Sequence, residues 1–222
     1  MSAQRVVVVG GSGRTGALIV AALLKAGDEV VATIRNPKHM AALVKQGVEV
    51  AMVDLDASPL ADIERAFTGA AAVIFAAGSA EADPSSALDR KGVKRTLLAA
   101  TKTGVRRYIA ISGLGATTKI PASYDWPGMK AYFTAKRGAN GLVRASGLDW
   151  TIIEPGTLTD GKATGKITLT EGIDIEDGKI ARADVAALTA ACLHDPRTIG
   201  HTFQLVTGKT AIATALDKVI GA

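Results

Sequence analysis

The chain has 222 residues, of which 48% are hydrophobic, and it carries a formal net charge of +5. This length suits one sizeable core and is too short for two, so we expect a single domain over residues 1–222. Lys and Arg are spread along the sequence without interleaved aromatic residues, which argues against a nucleic-acid partner and favours a basic cleft for an anionic ligand.

Strand patterns and helix patterns alternate along the chain. The first strand is the β-branched run at 6–9, and an Ala/Leu-rich helix over 17–24 follows a glycine-rich turn. Ser58 is predicted to cap the helix that starts at Pro59. Further strands are predicted at 29–34, 48–53, 71–76, 105–112, 148–154 and 202–206, and further helices at 37–47, 59–67, 85–103, 129–146, 183–193 and 211–220. The alternation predicts right-handed βαβ units, and therefore an α/β fold with a doubly wound parallel sheet (a Rossmann fold) and small C-terminal substrate-side elements.

The turn between the first strand and the first helix carries three regularly spaced glycines, Gly10, Gly13 and Gly16. A strand, a glycine turn and a helix in this order present free backbone N–H groups at a helix N-terminus, where phosphate binds. One small residue allows the tight turn, one lets the backbone approach a pyrophosphate, and one lets the helix pack against the strand. The sequence therefore predicts a dinucleotide site rather than a purely structural turn. The other residues of this predicted site are Ser12, Arg14 and Thr15.

Residues after strands two to four indicate which nucleotide binds. The NAD version of this fold ends its second strand with an acid that binds the ribose 2′-hydroxyl, but this chain has Arg35 there. A guanidinium can bind a 2′-phosphate with two hydrogen bonds, and Arg14 can approach the same phosphate, so we expect NADP(H) rather than NAD. Asp54, next to Leu55, either accepts from the adenine amine or caps its own turn. Close passage of the cofactor is also allowed by the small residues Ala76, Ala77 and Gly78, followed by Ser79.

Three residues suited to proton transfer lie at the end of strand five and on the helix that follows it. Ser112 ends that strand at the carboxyl edge of the sheet, where open α/β folds bind ligands. Tyr132 and Lys136 are four residues apart and share one face of the next helix. A neighbouring ammonium and a positive nicotinamide favour the phenolate, so Tyr132 can protonate an alkoxide formed by hydride transfer while Ser112 orients the carbonyl. An amphipathic surface pair is the alternative for the tyrosine and lysine. Tyr124 has no lysine four residues on and is assigned to the loop over the substrate.

The sequence resembles the atypical short-chain dehydrogenases/reductases, the NAD(P)-binding NmrA-like group that includes biliverdin and flavin reductases. The resemblance covers almost the whole chain and rests on the glycine turn, Arg35, Lys136 and the segments 54–55, 105–112, 147–158 and 180–186. It implies a Rossmann fold, NADP along the glycine turn, and Lys136 beside the nicotinamide ribose. It also implies a wall near the nicotinamide that contains Pro155, Gly156 and Leu158.

Two features limit what this resemblance implies. The group commonly has Arg where this chain has Glu154, which reverses a charge near the cofactor or substrate and argues against an anionic substrate. The group also often lacks a working tyrosine, and some members bind the cofactor without turnover, whereas this chain has Tyr132. Arg182 and Asp184 look like family hallmarks, and we expect them to form an N-terminal cap and an ion pair on the helix at 183–193.

The preferred function is an NADPH-dependent reductase, an oxidoreductase acting on a carbonyl, quinone or flavin-type acceptor. The alternatives are a non-catalytic NADP(H)-binding redox sensor and a sugar-nucleotide epimerase or dehydratase, which usually needs a larger C-terminal domain. The substrate pocket is expected between 113–128, 157–166 and the ends of strands four and five. Its apolar candidates suit an apolar or planar small molecule: Leu114, Ile120, Trp126 and Leu158.

The remaining composition indicates a compartment. No apolar run reaches the length of a bilayer-spanning helix, and strand one begins near Arg5, so we expect no membrane partner and no signal peptide. Cys192 is the single cysteine and is expected to be a small buried hydrophobe. The three scattered histidines, without other ligands at suitable spacing, predict no metal site. We therefore expect a cytoplasmic protein that is a monomer or a small homo-oligomer.

Overall fold

The computed structural model describes residues 3–78, 88–124, 128–172 and 175–221. Its strands are β1 Arg5–Val9, β2 Glu29–Ile34, β3 Glu49–Met52, β4 Ala72–Phe75, β5 Arg107–Ile111, β6 Asp149–Pro155, β7 Thr157–Thr159, β8 Lys166–Thr170, β9 Lys179–Ala181, β10 His201–Thr207 and β11 Thr210–Ala211. Its helices are α1 Arg14–Ala26, α2 Met40–Val44, α3 Leu60–Phe67, α4 Val93–Thr103, α5 Met129–Arg144, α6 Arg182–His194 and α7 Ile212–Ile220.

The described strands form a mostly parallel sheet in the order β11-β8-β10-β6-β5-β4-β1-β2-β3. β1 pairs in parallel with both β2 and β4, so the strand order reverses beside β1, at the switch point where open α/β sheets bind ligands. This confirms the predicted doubly wound α/β fold. One edge differs from the predicted parallel pairing, because β8 is antiparallel to both β10 and β11. No helix separates β6 from β8, so the chain has no crossover that could return β8 in parallel. β7 and β9 form a separate two-stranded sheet.

Apolar layers cover both faces of the sheet. Residues 6–9 of β1 are at most 1% exposed, as predicted for a strand buried on both sides. Val6 and Val8 pack on the face covered by α1 and α6, whereas Val7 and Val9 pack on the face covered by α3, α4 and α5. Cys192 lies in the first of these layers, where burial raises the pKa of its thiol to about 12. It is therefore the buried hydrophobe that the sequence predicted.

The ends of several elements differ from the prediction. Ser58 does not cap α3, because its hydroxyl accepts from Asp54 N at 2.8 Å and the helix begins at Leu60 after the N-cap Pro59. The helix predicted at 85–103 is a π-helical turn over 88–92 followed by α4, and 85–87 lie outside the described residues. Among the described residues, no helix combines the length and the apolar character needed to cross a bilayer.

Candidate functional site

The glycines of the turn before α1 have three different surroundings. Gly10 has a positive φ of 80°, and a Cβ added to it would lie 2.8 Å from Cα of Ala77, so only glycine lets the turn meet the end of β4. A Cβ on Gly16 would lie 2.1 Å from O of Gly10, so this glycine lets α1 close on the turn. A Cβ on Gly13 would meet only O of Gly10, at 3.2 Å. The chain itself therefore leaves space beside Gly13 for a ligand.

The N-terminus of α1 is suited to an anion. Its N-cap is Gly13, no side chain of the described residues caps it, and its first turn has no acidic residue. The N–H groups of Arg14, Thr15 and Gly16 have no partner within the helix, because only later residues reach a carbonyl four positions back. Free N–H groups and the positive end of the helix dipole favour a phosphate here. The turn therefore fits the pyrophosphate of a dinucleotide, and Ser12 lies half-buried within it.

The two arginines predicted at the 2′-phosphate occupy different surroundings. Arg35 is exposed directly after β2. The Arg14 side chain is 63% exposed, and its Nη1 lies 3.6 Å from Oδ2 of Asp160. The other oxygen of Asp160 accepts from Nη1 of the buried Arg182 at 2.5 Å. Asp160 was missed by the sequence reasoning, because an acid in a loop gives no periodic signal. It links the glycine turn to α6 across the segment after β7.

The residues after β3 and β4 serve the fold as well as the predicted site. Asp54 Oδ1 accepts from N of Asp56 at 2.9 Å, which is the turn-capping alternative. Leu55 is 7% exposed and packs in the apolar layer. Gly78 lies near the chemistry-bearing helix, since a Cβ on it would be 3.9 Å from Nζ of Lys136. Ala76 continues the β1–β4 pairing by donating from its N to O of residue 9 at 3.0 Å. Ser79 lies outside the described residues.

Ser112, Tyr132 and Lys136 come together where β5 meets α5. Ser112 and Lys136 are 8% and 6% exposed, and both line one small cavity of about 10 Å³ together with Asn140. Nζ of Lys136 lies 5.6 Å from the ring centre of Tyr132. The phenol oxygen of Tyr132 would lie 3.4 Å from a Cβ on Gly113, the residue after the serine. The interpretation as an exposed surface pair does not fit a buried lysine.

The segment 113–124 after β5, the covering loop, packs against α5, and its apolar side chains mostly face the interior. Tyr124 Oη lies 2.6 Å from Thr157 Oγ1, and burial raises the pKa of the phenol. Leu114 is 1% exposed, so it is core rather than pocket wall. Ile120 packs on Ala116, Met129 and Phe133. Leu158 is partly buried against the layer under α1 and α6. Trp126 lies outside the described residues.

Pro155 ends β6, and Gly156 follows it beside the covering loop. O of Pro155 accepts from N of Leu114 at 2.9 Å, which fixes the start of the covering loop. A Cβ on Gly156 would lie 2.4 Å from O of Gly178, so glycine is required by the close approach of the chain before β9. Among the described residues, no three His, Cys, Asp or Glu side chains are grouped closely enough to hold a metal ion.

Glu154 is fully buried between β6 and α5. Its Oε1 accepts from Oγ1 of Thr117 and, at 2.8 Å, from Nδ2 of Asn140. Burial raises the pKa of Glu154, while the hydrogen bond from Thr117 and the charge of Arg144 oppose that shift. The charge reversal at position 154, which was expected near the cofactor or substrate, therefore lies in the protein interior. Asn140 lies one helical turn beyond Lys136, a spacing from which the sequence reasoning could have identified it.

Arg182 and Asp184 have structural partners other than those predicted. The expected N-terminal cap is wrong, because α6 begins after Ala181 without a side-chain cap in the described structure. Asp184 instead accepts from N of Thr164 at 2.9 Å and from N of Gly165 at 2.8 Å. The ion pair of Arg182 is with Asp160 rather than within α6. Both hallmarks therefore hold the loop between β7 and β8 against the helix.

Comparison with known proteins agrees with this geometry. An uncharacterized sugar epimerase, YhfK of Bacillus subtilis, is 33% identical and covers 97% of this chain and 100% of its own length. A Bacillus halodurans structure, provisionally assigned as an NAD-dependent epimerase/dehydratase, shares 32% identity over 97% of this chain and 100% of its own, with a TM-score of 0.87. The anaerobillin reductase ChuY from Escherichia coli shares 26% identity over 91% of this chain and 97% of its own, with a TM-score of 0.77. A family model described as NAD(P)H-binding matches residues 10–196. This chain therefore belongs to the NAD(P)H-binding family.

Proposed function

We propose that the chain is an NADPH-dependent reductase that delivers hydride to a small carbonyl, quinone or flavin-type acceptor. The observation that carries the proposal is the grouping of Ser112, Tyr132 and Lys136 at the end of the sheet where the glycine turn lies. Gly78 connects the two halves, since it follows β4 beside the turn and approaches Nζ of Lys136. The similarity to an anaerobillin reductase also supports a reductase activity.

Each side chain has a role in this proposal. The bound cofactor supplies the hydride. The hydroxyl of Ser112 donates to the carbonyl oxygen and orients it in the cavity. Tyr132 gives its phenolic proton to the oxygen that becomes negative, and Lys136 stabilises the resulting phenolate by its charge. Lys136 is also assigned to the nicotinamide ribose hydroxyls. For a flavin acceptor the proton from Tyr132 is not required.

The preference for NADPH is part of the proposal. The exposed Arg35 follows β2, where a carboxylate would repel a 2′-phosphate, whereas a guanidinium can bind it with two hydrogen bonds. Arg14, on the first turn of α1, is assigned to the same phosphate, and its guanidinium would exchange its contact with Asp160 at 3.6 Å for that phosphate. We assign the adenine edge to Asp54 and Leu55, and the nicotinamide wall to the segment 155–158.

The test follows NADPH oxidation by absorbance with aldehydes, ketones, quinones and free flavin, using wild type and Tyr132→Phe side by side. Turnover of a carbonyl that falls at least about a hundredfold in the variant supports both the reductase and the acid role. Turnover of flavin or quinone that survives the substitution keeps the reductase and removes Tyr132 from the chemistry. Tight NADPH binding without any turnover favours the redox-sensor function.

A sugar-nucleotide epimerase is the second candidate, because a relative of 33% identity bears that name. An epimerase takes hydride from its substrate and returns it, so it shows no net consumption of NADPH. Incubation with nucleoside-diphosphate sugars and oxidised cofactor, followed by separation of the sugar products, therefore distinguishes the two activities. An inverted sugar product without net reduction would replace the reductase proposal.

A further inference from the structure

Ser112 and Glu154 lie opposite each other at the ends of neighbouring strands. β5 and β6 pair in parallel with Ile111 opposite Ile153. Directly beyond the end of β5, N of Ser112 donates to O of Ile153 at 2.8 Å, which continues the same register. Ser112 is therefore opposite Glu154. Because adjacent strands are about 4.8 Å apart, the two side chains are neighbours on one face of the sheet.

That face is the one that α5 covers. Ala110 and Ile152 precede the pair by two residues on each strand and therefore point the same way. Both pack in the apolar layer with Ala139 and Val143 of α5. The cavity that holds Lys136 lies on this face as well. Glu154 therefore lies beside Ser112 on the face that α5 covers.

Each of the two side chains has a buried oxygen that lacks a hydrogen-bond partner among the described residues. These atoms are Oγ of Ser112 and Oε2 of Glu154. An unpaired buried polar atom is destabilising, so such atoms are rare in folded proteins and require an explanation. Rotation of Ser112 about χ1 moves its hydroxyl among three staggered positions on the face of the sheet that Glu154 shares.

The other oxygen of Glu154 is already engaged. Oε1 accepts from the hydroxyl of Thr117 and from the side-chain amide of Asn140. Thr117 also accepts from Nη2 of Arg144 at 2.8 Å, so the covering loop and α5 hold the carboxyl group from two sides. Two donors on one oxygen fix the plane of the carboxyl group. Oε2 is then the atom available to Ser112.

We propose that Glu154 is a positioning residue for Ser112, an inference that rests on the reductase function proposed above. In its neutral form the carboxyl donates from Oε2 to Oγ of Ser112. The serine then directs its own hydrogen away from Glu154, where it donates to a substrate carbonyl. In its charged form the carboxylate accepts that hydrogen, and the serine presents only a lone pair. Carbonyl binding is therefore favoured by the neutral form.

The surroundings of Glu154 decide where that change occurs. Burial favours the neutral form and raises the pKa of Glu154, whereas Thr117 and Arg144 favour the charged form. β10 places the uncharged Gln204 opposite Glu154. α5 supplies the charged and titratable groups on this face or at its edge: Tyr132, Lys136, Arg137 and Arg144. Thr117, Gln204 and the charge of Arg144 all oppose the rise in the pKa of Glu154.

The first arm of the test is the pH profile of kcat/KM with the carbonyl that the NADPH panel identifies. We expect the wild-type value to fall as pH rises through the Glu154 midpoint. The kcat/KM of Glu154→Gln should not show this fall, because Thr117 and Asn140 fix its amide oxygen and leave the NH₂ group to donate to Ser112. Glu154→Leu has neither a donor nor an acceptor, so its kcat/KM should lie about tenfold below wild type at pH values below the Glu154 midpoint and should not fall as pH rises through it. Glu49→Gln, an equal charge change on β3, should behave as wild type. A Glu154→Gln profile identical to wild type contradicts the proposal.

The second arm needs no activity. Carbon-13 NMR of protein labelled at the glutamate carboxyls gives the Glu154 midpoint, with the signal assigned from Glu154→Gln. Ser112→Ala removes the donor to the charged carboxylate, so the midpoint should rise by about 0.5–1 in pH. An unchanged midpoint overturns the pairing. A shifted midpoint in a protein that reduces nothing retains the pairing and rejects the reductase function instead.

Discussion

Separate replacement of Gly16 and Gly13 by Ala distinguishes a turn that only folds from a turn that also binds phosphate. A Cβ on Gly16 would lie 2.1 Å from O of Gly10, against 3.2 Å for a Cβ on Gly13, and ordinary contact begins at 3.4 Å. α1 must therefore move by more than an ångström in Gly16→Ala, and overpacking of this kind costs about 1–3 kcal/mol. Gly13→Ala needs a shift of a few tenths of an ångström, and the poorer N-cap costs less than about 1 kcal/mol.

The two variants should therefore separate stability from binding. For a chain of this length Gly16→Ala should lower Tm by about 2–12 °C, and Gly13→Ala by less than about 4 °C. Titration of NADPH fluorescence should nevertheless show at least about tenfold weaker binding for Gly13→Ala, because the added methyl fills the space where a pyrophosphate approaches the backbone. Gly47→Ala is a control for stability loss without a change at the turn: its positive φ of 82° strains an alanine, and the variant should retain wild-type affinity. Wild-type NADPH affinity in Gly13→Ala would refute the assignment of the pyrophosphate to this turn.

Three further predictions concern charge. Glu154→Gln should unfold at a higher temperature than wild type near pH 7, and the difference in Tm should shrink as pH falls toward 4.5. Burial raises the pKa of Glu154, so the stability that this carboxyl contributes in its neutral form is lost as pH rises. A difference in Tm that does not depend on pH contradicts this. Arg35→Glu should weaken NADPH binding at least about tenfold with little effect on NADH, measured by the same fluorescence titration; equal losses for both would place the 2′-phosphate elsewhere. Asp160→Asn should lower stability in denaturant unfolding by about 1–3 kcal/mol, because the buried Arg182 loses its carboxylate, and Asp217→Asn on α7 is the surface control.

The fold was predictable because its signals are local. Four valines followed by three spaced glycines specify a buried strand and a turn, and the same alternation repeats up to β6. The sheet edge was not predictable in the same way, since β8 and β11 are short and their direction depends on the absence of a crossover helix. The cap predicted for Ser58 failed for a related reason: the serine is bound by Asp54, a loop partner that helix-capping patterns do not consider.

The candidate site shows the same difference between residues with a local sequence signal and residues without one. Ser112, Tyr132 and Lys136 were identifiable because strand ends and helical spacing place them, and Arg35 because a strand ends before it. Asp160 and Thr117 belong to loops, and only the folded chain brings one to Arg14 and Arg182 and the other to Glu154. Their partners are separated in sequence, so spacing carries no information about them.

Those loop contacts explain how two distant parts of the chain can act as one site. The glycine turn and α1 lie on one side of β4, whereas Ser112 and α5 lie on the other. The segment 154–160 contacts both parts. Asp160, held by Arg182 of α6, reaches Arg14 at the turn, and Glu154 of β6 holds the covering loop to α5 through Thr117. These two carboxylates flank the segment 155–158, which the family resemblance places near the nicotinamide. If the reductase proposal is correct, a change in this segment should therefore affect cofactor affinity and carbonyl turnover together, whereas a change in Arg35 should affect cofactor affinity alone.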